Sequence, residues 1–134
     1  MTKQIKLGNQ TYILSGSVFT IINYQKLFGS DIYKDLMSFI NFDNVKINVN
    51  GKVDTSKIKI EDVDITKLMI ILTQILYVLA QPNFNEEMSY DRFVQLIPAD
   101  FLFNENSLEE IMESIVILIP KKNQNQKKVP VRKQ

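Results

Sequence analysis

The chain has 134 residues, 45% of them apolar, which is enough for one modest core and sets a single domain as the expectation. It contains no cysteine, histidine or tryptophan, so disulfides, thiolate or imidazole metal ligands, a histidine base and a cysteine nucleophile are excluded, and with them most hydrolase and metalloenzyme chemistry. The net charge of +1 conceals an asymmetry: six of the 16 bases and none of the 15 acids lie in 121–134, leaving residues 1–120 with ten bases against 15 acids.

From the start, Gln4 to Leu7 and Gln10 to Leu14 alternate apolar and polar residues around Gly8-Asn9, which predicts a β-hairpin with positive φ in its turn. A lone hairpin is marginal in water, so it must pack on the rest of the chain. Ser15-Gly16-Ser17 is a break with capping hydroxyls. A helix follows from Val18 to Phe28, with Val18, Ile21, Ile22, Leu27 and Phe28 placed on its inner face. Gly29 suits the position after a helix end, and Ser30 is expected to cap a second helix from Asp31 to about Phe39. Its buried stripe would be Ile32, Leu36, Phe39 and Ile40.

Val45 to Val53 carries Asn50-Gly51 between alternating apolar positions, the preferred type I′ pair, and predicts a second short hairpin. Residues 54–64 read as a loop or an edge strand. Asp64 is expected to cap a helix from Ile65 to Ala80 that stops before Gln81-Pro82. That helix is apolar nearly all round, so it is either central in a bundle or shared with another subunit of a homo-oligomer. After a polar loop from Asn83 to Met88, Ser89 caps a helix from Tyr90 to about Ile97, with Phe93, Leu96 and Ile97 inward and Pro98 as its stop. Ser107 and Glu110 match a capping box opening the last helix. Its inner face is Leu108, Ile111, Met112, Ile115, Val116 and Ile119, and Pro120 ends it.

The expected architecture is therefore mainly α with α+β character, a small helical bundle bearing an N-terminal β-hairpin and a second short hairpin. Residues 1–120 form one domain, and 121–134 form a basic tail with no core-forming pattern, expected to be disordered. No signal-type apolar run follows Met1 to Gln4. The longest apolar stretch, 13 residues from Leu68 to Ala80, falls short of the roughly 18 that a bilayer span needs. A cytosolic chain with no membrane contact is expected. Richness in Ile, Asn and Lys, with only Ala80 and Ala99 as alanines, reads as an A/T-rich coding genome.

Candidate chemistry is sparse. Glu61, Asp62 and Asp64 lack the glycine-punctuated pattern of a calcium loop and read as a solvated helix start. Asn85-Glu86-Glu87 and the trio Glu109, Glu110 and Glu113 read as solvated faces, and the four glycines form no phosphate loop. No catalytic, cofactor-binding or metal residue is assigned. The basic tail, with Lys121, Lys122, Lys127 and Lys128, can neutralise phosphates. It holds no aromatic for stacking and no recognition helix, so nucleic acid is not the expected partner. Phe101-Leu102-Phe103 is the expected apolar surface feature, either a lid on the core or a docking surface. Phe101, Leu102 and Phe103 and the four tail lysines are the candidate partner-binding residues.

The segment Phe19-Thr-Ile-Ile-Asn-Tyr-Gln-Lys-Leu-Phe-Gly-Ser-Asp-Ile-Tyr-Lys-Asp-Leu36 resembles the opening helices of siphophage tail assembly chaperones. In that family a short strand pair leads into a helix ending in a Gly-x-Asp turn, here Gly29-Ser30-Asp31, followed by a second helix. The later order, an apolar helix, a short helix at Ser89 to Phe93 and a last helix, is similar as well, so the resemblance spans about residues 3–119. The Asn50-Gly51 hairpin has no clear place in it. The resemblance implies a phage protein of a low-GC Gram-positive host, made in the host cytoplasm and absent from the mature virion. It also implies binding to the tape measure protein and the tail tube protein, with no enzymatic activity. It further implies a longer product made by ribosomal frameshifting, for which codons at Lys121-Lys122 can supply a slippery run. The alternatives are a small nucleic-acid-associated regulator and a minor structural virion protein.

Overall fold

A computed structural model describes residues 1–39, 64–101 and 103–120 of the chain. The element order is β1 (Thr2–Leu7), β2 (Gln10–Ser15), α1 (Val18–Phe28), α2 (Ile32–Met37), α3 (Ile65–Ala80), a 3₁₀ turn at Gln81–Asn83, α4 (Tyr90–Gln95) and α5 (Glu105–Leu118). This is the mainly helical α+β architecture expected, with the N-terminal hairpin in place. The second hairpin around Asn50-Gly51, the 54–63 stretch and the 121–134 tail lie outside the described residues, as does Ile40.

β1 and β2 pair antiparallel, with Ile5 opposite Tyr12 and Leu7 opposite Gln10. Of the two turn residues only Gly8 has positive φ, at 67°, the signature of a type II′ rather than a type I′ turn. Strand periodicity puts Lys3, Ile5 and Leu7 on one face together with Tyr12 and Leu14, and the four apolar members are buried. Neighbouring helices supply the cover that a hairpin needs, α5 over β1 and α3 beside β2. Gly16 makes that docking feasible. A Cβ there would stand 2.1 Å from the Leu118 carbonyl oxygen at the end of α5, so no larger residue fits without moving backbone.

α3 occupies the centre. Asp64 accepts from the backbone N–H groups of Thr66 and Lys67, which satisfies two of the free donors at the helix start. Ten of its 16 residues are buried, and it packs against β2, α1, α2 and α4. Leu72, Ile75, Leu76 and Leu79 are 0% exposed. With the turn that follows it, Ile65–Asn83 is long and apolar enough by length and composition to cross a membrane, and more than half of it is buried inside the fold. The 13-residue count from Leu68 missed that length because Ile65 to Lys67 and the 3₁₀ turn extend the helical run.

Local capping differs from expectation at two helices. Asp31, not Ser30, caps α2 by accepting from the N–H of Tyr33, and the Ser30 hydroxyl donates instead to Oδ1 of Asp35 at 2.9 Å. α5 begins at Glu105 because Asn104 accepts from the N–H groups of Asn106 and Ser107. Ser107 therefore lies within the first turn and heads no capping box. At α1 and α4 the expected caps hold: Ser17 pairs with Thr20 in a capping box, and Ser89 accepts from the Arg92 N–H.

The largest correction concerns α1. Val18, Ile22 and Leu27, expected inward, are 66%, 48% and 46% exposed, and Phe19 is exposed beside them. Thr20 and Tyr24 are the buried residues, with Ile21 and Phe28 partly buried against the core. The reason is polar as much as apolar. The Tyr24 hydroxyl donates to Oδ2 of Asp35 at 2.6 Å, and the Gln74 side chain lies 3.0 Å from it. A phenol has one proton to give, so the Gln74 contact is satisfied with its amide turned to donate. Since apolar residues of α1 lie on more than one side of the helix, interleaved with Asn23, Gln25 and Lys26, this anchored hydroxyl, which ties α1 to α2 and α3, selects the face that turns in.

Candidate functional site

An open groove of about 440 Å³ runs between α3, α4 and the chain that follows α4. Thr66, Met69, Ile70 and Thr73 of α3 form one wall. Tyr90 and Val94 of α4 form the second, and Ile97 to Ala99 with Phe101 close the end. None of these residues is charged. The groove exists because the N-terminal half of α3 turns apolar residues outward: Ile70 is 47% exposed and Met69 is partly buried. A helix apolar all round needs cover all round, and among the described residues part of that cover is an opening.

The hydroxyls of Thr73 and Tyr90 in the walls are paired internally. The Thr73 hydroxyl donates to the Met69 carbonyl at 2.8 Å and lies 2.8 Å from the Tyr90 hydroxyl, which donates to it. Tyr90 is held edge-on between Phe28 and Tyr77, at ring separations of 5.1 and 5.7 Å. The Tyr77 hydroxyl donates to the Met88 carbonyl and pins the loop before α4. A guest in this groove is therefore selected by apolar shape, with little hydrogen bonding to orient it.

The phenols of Tyr12, Tyr24 and Tyr77 are electrically quiet. Burial raises the Tyr24 pKa above its ordinary value, followed by the hydrogen bond and charge of Asp35 and the influence of Tyr90. Burial also raises Tyr77, with the nearby Glu87 charge adding to it, and raises Tyr12. All three remain neutral near pH 7.

The expected Phe101–Phe103 feature divides. Phe101 is 5% exposed and lines the groove as part of the core's cover, while Phe103 is 72% exposed. Two successive tight turns make the split, the Phe101 N–H donating to the Pro98 carbonyl and the Phe103 N–H to the Asp100 carbonyl. Leu102 and the lysines Lys121, Lys122, Lys127 and Lys128 lie outside the described residues.

A second, polar depression of about 360 Å³ lies between β1 and α5, lined by Lys3, Gln4, Asn106, Ser114 and the trio Glu109, Glu110 and Glu113. Lys3, on the packed face of β1, reaches Oε1 of Glu113 at 2.9 Å. Both side chains are partly exposed, so the pair contributes no more than about 1 kcal/mol. Among the described residues, no group of three or more acids gathers to hold a metal ion.

No family model, curated protein or solved structure matches the chain.

Proposed function

We propose that this chain is a phage tail assembly chaperone. It binds the tape measure protein in the host cytoplasm, recruits tail tube subunits and is absent from the finished virion. The observation that carries the reading is the uncharged groove beside α3 and α4. A chaperone for a long helical client needs an accessible apolar surface that accepts many side chains by shape, and needs no catalytic group. Met69 adds an adaptable side chain to that wall. The resemblance of Phe19 to Leu36 to the opening helices of the family supports the same role. On this reading the chain catalyses nothing, in keeping with a sequence that has neither His nor Cys. Frameshifting near Lys121-Lys122 would give a longer form with the same body.

The test is co-expression with the tape measure protein encoded in the same genome. The chain should co-purify with it and keep it soluble. Ile70→Asp, at a half-exposed groove position, should cut recovery at least tenfold while thermal unfolding of the chaperone shifts by no more than a few degrees. Failure of the unmodified chain to co-purify, or its presence in purified phage particles, overturns the proposal.

A further inference from the structure

We draw no further inference here: the strongest candidate, the outward apolar stripe of Val18, Phe19 and Ile22 on α1, carries nothing because nothing in the structure shows what covers it, and the groove beside α3 and α4 belongs to the site already described.

Discussion

α1 and α3 are both rich in aliphatic and aromatic residues, yet the fold uses them in opposite ways. α3 buries ten of 16 residues, whereas α1 buries only Thr20 and Tyr24 and leaves Val18, Phe19, Ile22 and Leu27 largely in water. Neighbours make the difference. α3 is covered by β2 and three helices, while α1 packs mainly on α3 and α2, with Phe28 at its end meeting Tyr90 of α4 and Asn23 bonding Gln81. An apolar residue is worth burying only where a second element is there to exclude water from it. Apolar content therefore does not rank helices by their contribution to stability; position does.

The sharpest break of this comparison is a truncation in α3. Leu72→Ala, at a site with 0% exposure, should cost about 3 kcal/mol in urea unfolding, the usual loss for deleting a fully buried leucine side chain. A loss under about 1 kcal/mol would mean that α3 is not the core helix.

Next in size is the polar anchor of α1. Tyr24→Phe removes the donor to Asp35 and should cost about 1–2 kcal/mol, since the acceptor keeps only the Ser30 hydroxyl. The same residue gives the fold a pH signature. Its pKa is raised in the folded state, so above about pH 10 the unfolded chain releases the tyrosine proton while the folded chain retains it. Stability should be level up to about pH 10 and fall beyond it. Tyr24→Phe should flatten that fall, as followed by denaturant titrations across the alkaline range.

Tyr12 offers a smaller effect of opposite sign. Its hydroxyl is buried with no hydrogen-bond partner among the described residues, while its ring packs on Phe93 and Phe84. Tyr12→Phe keeps the ring contacts and removes the desolvated hydroxyl, so it should raise stability by up to about 1 kcal/mol. A clear loss would reveal a partner for that oxygen.

The smallest expected change sits on the outer face of α1. Ile22→Ser should alter stability by less than about 0.5 kcal/mol, because half of the side chain already faces solvent. A cost near that of Leu72→Ala would show that this face is covered in solution, and sedimentation of the unmodified chain would then report a larger species.

Much of the fold was legible along the chain because its signals are local. The Gly8-Asn9 turn, the Ser17, Asp64 and Ser89 caps and the stop before Pro82 each depend on a few adjacent residues, and each stands where those residues put it. The caps at α2 and α5 were misread where two polar residues competed. Asp31 and Asn104 each offer an oxygen to the first free N–H groups, ahead of or in place of the serine chosen by pattern. The candidate site was legible only at one end. The Phe101–Phe103 run marked the right neighbourhood, but the walls built from α3 and α4 were missed. The available signal was the run of apolar residues on every side of α3, which includes Met69 and Ile70 of the groove wall.

Residue order alone determined where the chain turns, where most of its helices start and that α3 needs cover all round, either at the centre of a bundle or from another subunit, since backbone capping and apolar periodicity act over a handful of residues. Which face of α1 turns inward was decided by tertiary structure, through one phenol reaching an aspartate on another helix. The opening between α3, α4 and Phe101 was decided there too. Such a space depends on the distance between elements far apart along the chain, and no run of neighbouring residues encodes that distance.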